Sequence, residues 1–188
     1  MTEPQPDWRQ RKKTATRDRI LASALRLFQE QGYDATTVEQ IAAAAGVSHM
    51  TFFRYFPSKE DVAVSDSYDP LIVAVLEQTP AEWPLIRRIR AALVDGLSQV
   101  YAAERGTILA QNKLIASTPQ LRERLWSSQI TTQELMLRAL GADDSFQARV
   151  TVAACLAAAS TAILTWVESD GAQELPDLMR QAFDTLAG

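Results

Sequence analysis

The chain has 188 residues, a formal net charge of −4, 47% hydrophobic and only 7% aromatic residues, and one cysteine, Cys155. That length allows one or two small domains with a mainly aliphatic core, and a lone cysteine excludes an internal disulfide or a cysteine metal site and fits a reducing cytoplasm. The polar start carries no secretory signal, and the longest Ala-rich stretch, 150–167, is broken by Thr151, Ser160, Thr161 and Thr165, so a core helix is expected there rather than a membrane span.

Residues 1–13, with Pro4 and Pro6 followed by charge, read as a disordered basic arm. The spacing then predicts a helix over 14–31 with Ile20, Ala24, Leu27 and Phe28 inward. Between 36 and 56 lie two short helices joined by a tight turn. Thr36 or Thr37 caps the first, with Glu39 or Gln40 as capping-box partner, and Val38, Ile41, Ala42 and Ala45 face inward. Gly46 supplies the permissive backbone of the turn and Ser48 caps the second helix, which Phe52 and Phe56 anchor from one face. His49, Met50, Thr51, Phe53 and Tyr55 are left outside. This is the pattern of a helix-turn-helix, whose second helix enters a DNA major groove.

Pro57 stops that helix, and Ser58 with Asp61 opens another over 58–78, with Pro70 a point of interruption. A loop at 79–84 precedes helices at 85–103 and 104–117. Pro119 starts a helix that ends before Gly141. Asp143, Asp144 and Ser145 cap the next, which runs to Glu168 and is broken by Asp170–Gly171, and a last helix covers 175–186. No alternating strand pattern persists, so the class is all-α with about nine helices.

Charge is unevenly placed. From Trp8 to Arg19 six basic residues stand against one acidic, a balance of +5, whereas from Asp61 onward 10 basic and 16 acidic residues give −6. The cations that phosphates require are thus concentrated beside the helix-turn-helix.

The stretch from Thr36 to Asp61, with R-I-L-A-S-A-L-R-L-F-Q-E-Q-G-Y before it, resembles the N-terminal domain of TetR-type bacterial transcriptional regulators. The resemblance covers roughly 14–64 and rests on a composite pattern: L-F-x-x-x-G-Y, then T-T-V-x-x-I-A-x-x-A-G-V-S, then F-x-x-F-P-S-K-E-D. The family usually has Tyr where this chain has Phe53, so a hydroxyl bond there is lost while stacking or methyl contact is kept. The resemblance implies a DNA-binding domain over 14–62 and a ligand-binding and dimerisation domain over 63–188. The F-F-R-Y-F-P-S-K-E-D-V wording further resembles actinobacterial regulators, including those beside mycofactocin genes that respond to acyl-CoA esters.

By resemblance and by position, His49, Met50 and Thr51 are candidates for base contact, and Phe53 with Met50 for thymine methyls. Tyr55, Lys59, Thr37 and Ser48 are candidates for phosphate, and Arg11, Lys12, Lys13 and Arg17 for the backbone or minor groove. Trp83, Tyr101, Ile108, Gln111, Asn112, Trp126, Met136 and Trp166 combine apolar bulk with isolated polar groups, which suits a pocket for an apolar or amphipathic effector. Ala153, Ala154, Ala157, Ala158 and Leu178 are candidates for a homodimer surface.

One His and one Cys far apart, no Gly-rich phosphate loop and no metal-ligand spacing give catalysis no support; neither cofactor nor metal is expected. The expectation is a cytoplasmic, dimeric repressor of a palindromic double-stranded DNA operator, released by a small molecule. A ligand-independent regulator and an activator are the alternatives.

Overall fold

The structure, a computed structural model, describes residues 8–65, 69–142 and 145–187, without the side chains of residues 9, 10, 69, 126 and 127. The chain divides into two compact units, Met1–Ser65 and Asp66–Gly188. Every described element is helical.

The first unit holds α1 (Trp8–Gln31), α2 (Val38–Ala44), α3 (His49–Tyr55) and α4 (Lys59–Ala63). Residues 8–13 are already part of helix α1, expected only from Thr14, and not of a disordered arm; residues 1–7 of the arm expected lie outside the described residues. Residues 8–13 contain no glycine or proline, so nothing breaks the helix there. Its buried stripe is Ile20, Leu21, Ala24, Leu25 and Phe28. Leu27, expected inward, is only half-buried, because packing on α2 and α4 selects the adjacent ridge.

The second unit holds α5 (Asp69–Gln78), α6 (Leu85–Arg90), α7 (Gly96–Ser117), α8 (Pro119–Leu140), α9 (Phe146–Glu168) and α10 (Leu175–Ala187). A π-helical segment, Ala91–Asp95, joins α6 to α7 without a break. Two expectations are corrected here. The helix expected over 58–78 is two helices, because Val64 leaves helical geometry after α4. The break expected at residue 103 is absent. Tyr101, Ile108 and Ile115 form a buried stripe along α7 that holds the helix together through exposed Gly106, which alone costs about 1 kcal/mol relative to alanine. Counted as one run, 85–117 leaves nine helical segments among the described residues.

Helix α9 runs through the core of the second unit, burying Ala148, Val152, Cys155, Ala159, Ala162 and Trp166. Against it α10 turns Leu178, Met179 and Phe183 inward at helical spacing. Each of these large side chains gains about 1.5–3 kcal/mol from burial. The hydroxyls expected to break the apolar run leave the helix continuous, as expected. Thr151, Thr161 and Thr165 donate to carbonyls one turn back, at 2.9, 2.9 and 3.0 Å. By length and composition alone α9 is apolar enough to cross a membrane, a property that the core helix of a folded domain shares. Ser145 caps it, accepting from the Ala148 N–H at 3.2 Å; Asp143 and Asp144, also expected there, lie outside the described residues.

Candidate nucleic-acid interface

Local chemistry fixes the helix-turn-helix. Thr37 is the cap of α2: its Oγ1 accepts from Gln40 N at 3.3 Å, and Gln40 Oε1 accepts from Thr37 N at 2.9 Å, a complete capping box. Thr36 is buried instead, donating to the Gly32 carbonyl at 2.7 Å. Gly46 has φ +64, the left-handed conformation that ends α2, and Val47 N reaches back to Ala42 O at 2.9 Å. Ser48 then caps α3, accepting from Thr51 N at 3.1 Å and donating to Thr51 Oγ1 at 2.9 Å. Phe52 and Phe56 are buried beneath α3, with ring centroids 6.1 Å apart.

The K-E pair at the start of α4 is a clamp. Lys59 Nζ donates to the carbonyls of Tyr33 at 2.8 Å and Thr36 at 3.0 Å. The Tyr33 hydroxyl donates to Glu60 Oε1 at 2.7 Å. Burial, then Glu60, pushes the Tyr33 hydroxyl above its ordinary pKa. Burial would raise Glu60, but the bonds from Tyr33, its own backbone and Ser58 hold it below the usual carboxylate value. The α1–α2 connection is thereby pinned to the first turn of α4.

What remains outside is the surface expected to read DNA. Met50 is 83% exposed and Phe53 41%. His49 is exposed and held from two sides: its Nε2 lies 3.3 Å from Glu39 Oε1, and its ring meets Phe53 edge-on at 4.7 Å. Between the first turns of α1 and α3 opens a cleft of about 570 Å³. Lys12, Lys13, Thr51, Tyr55 and Ser48 line it, together with Trp8, Thr16, Arg19 and Arg54, which sequence reasoning passed over. The signal that could have found Trp8 and Thr16 is their four-residue spacing with Lys12 on a helix that includes residues 8–13. Arg11 and Thr37 are exposed but outside the lining.

Two expected contacts look inward. The Arg17 guanidinium donates to Ser65 Oγ and stands over the Phe56 ring at 5.2 Å, so it ties α1 to the end of α4 instead of facing outward. Lys59 commits two of its three donors to carbonyls, as above. A cation with backbone acceptors in reach satisfies them first, since a buried carbonyl without a partner is costly.

In the second unit, Tyr101, Ile108, Met136 and Trp166 share one buried cluster. The Tyr101 hydroxyl accepts from Leu175 N at 3.2 Å, and its ring lies 5.9 Å from that of Trp166. Trp166 Nε1 is buried without a hydrogen-bond partner. Asn112 donates to Ile108 O of its own helix at 2.9 Å, and Trp83 lies under Arg87 at 3.8 Å; both are half-buried, as is Gln111. The side chain of Trp126 lies outside the described residues. On α9, Ala153, Ala154 and Ala157 are exposed and Ala158 half-buried. Leu178 is not on that surface: it is buried with Met179 in the core, on the inward face of α10.

Residues 20–65 match the family described as bacterial regulatory proteins, tetR family, and residues 83–188 match the MftR C-terminal domain. The chain is 36% identical over 163 residues to the HTH-type transcriptional regulator TcmR of Streptomyces glaucescens, covering 79% of this chain and 71% of that protein. Two solved structures share the fold. FadR of Thermus thermophilus, crystallised with lauroyl-CoA, superposes with TM-score 0.55 at 23% identity over 91% of this chain and 93% of that one. A TetR-family regulator of Streptomyces coelicolor gives TM-score 0.59 at 18% identity over 98% and 97%.

Proposed function

Since the chain belongs to the tetR family of bacterial regulatory proteins and carries an MftR-type C-terminal domain, it is a transcriptional regulator and not an enzyme, and we propose that it acts in the cytoplasm as a dimeric repressor of a palindromic operator, released by an apolar or amphipathic small molecule. The observation that carries the reading is the exposed start of α3. His49, Met50 and Phe53 lie outside a helix whose opposite face, Phe52, is fully buried. Side chains in that position meet base edges in helix-turn-helix complexes. His49 and Thr51 supply hydrogen bonds, Met50 and Phe53 apolar contact with thymine methyls, and Tyr55, Ser48, Thr37, Arg11, Lys12 and Lys13 phosphate contacts.

The second unit would hold the effector among Tyr101, Ile108, Met136 and Trp166, with Gln111, Asn112, Trp83 and Trp126 as further candidates. An acyl-CoA ester is the effector class favoured, because the C-terminal match is to the MftR domain and the structurally similar Thermus thermophilus FadR binds lauroyl-CoA. Release requires that the ester bind the operator-incompetent arrangement more tightly than the competent one. Anisotropy of a labelled duplex from around the protein's own gene tests both halves. Salt-sensitive, sequence-selective binding that lauroyl-CoA weakens is expected. Equal binding to scrambled DNA would refute the operator, and an operator affinity indifferent to saturating acyl-CoA would refute that effector class.

A further inference from the structure

We propose that the cleft between the first turns of α1 and the recognition helix seats one strand of the DNA backbone, with the indole of Trp8 packed on a deoxyribose of that strand and Arg19 and Arg54 on its phosphates. The proposal rests on the DNA-binding reading and adds three residues to it.

Four cations from two helices line the cleft: Lys12, Lys13 and Arg19 from α1, Arg54 from α3. No carboxylate is among the lining residues. The hydroxyls of Thr51 and Tyr55 add neutral donors, while those of Thr16 and Ser48 donate to Lys12 O and Thr51 Oγ1. Gly46 opens one wall, since a Cβ built there meets nothing within 4 Å. This combination of cations, hydroxyls and bare backbone is what holds phosphodiester oxygens.

Trp8 separates a nucleic-acid strand from a free anion. It is 63% exposed on a helix whose next turn is cationic, and Lys12 Nζ stands 5.9 Å from its ring centroid. An exposed indole gains by covering its ring with an apolar partner where one is offered. Inorganic phosphate offers none, whereas a nucleic-acid strand presents an apolar sugar and base between every pair of phosphates. The Lys12–Trp8 pair holds the indole at the cleft while free.

The test uses the intact protein and a duplex recovered by its own selection from random DNA, followed by anisotropy at several salt concentrations. Trp8→Ala should weaken binding about tenfold with little change in salt slope, because a sugar contact releases no counterion. Trp8→Phe should restore most of the affinity. Arg19→Ala and Arg54→Ala should each flatten the slope of log K against log salt by about one. The duplex should alter tryptophan emission in the wild type and not in Trp8→Phe, a readout that stands even if Trp8→Ala unravels the start of α1. Wild-type affinity in Trp8→Ala, or an unchanged emission response in Trp8→Phe, overturns the proposal and leaves the DNA reading intact. Absence of salt-sensitive wild-type binding to any selected duplex overturns both.

Discussion

The ammonium of Lys59 sits 4.1 Å from the centroid of the Tyr33 ring and donates to the Tyr33 carbonyl at 2.8 Å. A residue that sequence reasoning assigns to phosphate is thus a tie between α4 and the α1–α2 connection. Hydrogen bonds from a charged donor contribute about 1.5–3 kcal/mol each, and their carbonyls lose their partners when it is cut away. Lys59→Ala should therefore destabilise the first unit by about 1–3 kcal/mol, read as faster amide exchange throughout α1 and α2. Unchanged exchange with a flatter salt dependence of DNA binding would return Lys59 to phosphate.

The Tyr33–Glu60 bond gives the first unit a stability that falls at both ends of the pH scale. Tyr33 is raised, by burial first and then by Glu60. Its contribution is fully present below the ordinary tyrosine value, near 10, and is lost as the pH rises through the folded one. Glu60 is lowered, so its contribution is present above the ordinary carboxylate range and lost as the pH falls through the folded value. Tyr33→Phe should flatten both limbs in urea titrations across pH. Limbs as steep as wild type would show that other groups set them.

Two glycines at similar angles should respond differently to alanine. Gly46 has φ +64 with nothing within 4 Å of a built Cβ, so Gly46→Ala bears only the left-handed backbone cost, about 1–2 kcal/mol. Gly171 has φ +75, and its Cβ would come 3.0 Å from Leu109 Cδ2 and 3.3 Å from Arg105 Nη2. Arg105 also donates to the Gly171 carbonyl at 2.6 Å, so the contact cannot relax without breaking that bond. Thermal denaturation should show the larger loss for Gly171→Ala. Equal losses would mean that the α9–α10 turn yields freely.

His49 is placed by Glu39 of α2 and by Phe53 one turn along its own helix. The carboxylate lies 3.3 Å from its Nε2 and the Phe53 ring 4.7 Å from its own. If His49 reads a base edge, His49→Ala should weaken operator binding by about 1–3 kcal/mol and relax preference at one base pair per half-site. Glu39→Ala should blur the same position by freeing the ring. A uniform loss across all sequences would mark His49 as a backbone contact.

Most of the first unit was legible because short-range chemistry writes it: the Thr37–Gln40 capping box, Gly46 in the turn, Ser48 ahead of Thr51, the Phe52 and Phe56 anchors. What spacing does not show is partners distant in sequence. Lys59 meets Tyr33, and Arg17 meets Ser65 and Phe56; spacing shows a cation but not the carbonyl or hydroxyl that takes it. The α6–α7 run shows the same limit. A break was expected after residue 103, and only the buried stripe of Tyr101, Ile108 and Ile115 shows why the helix continues. Leu178 was misplaced for a related reason, since a periodic apolar face does not say which neighbour covers it.

The two faces of α9 and α10 make the dimer testable. Val150 and Leu164 are about half exposed, and Ala153, Ala154 and Ala157 lie between them at helical spacing. An exposed apolar face of small residues lets a second helix approach closely, and a two-fold partner would cover it. Ala157→Glu puts a charge on that face without touching the core. It should give a monomer by light scattering, with unchanged helicity and weakened operator binding. Leu178→Ala should do the reverse: a dimer that melts earlier, by about 2–5 kcal/mol for a deleted core leucine. If Ala157→Glu stayed dimeric while Leu178→Ala dissociated, the interface would lie on α10 and the α9 face would need another partner.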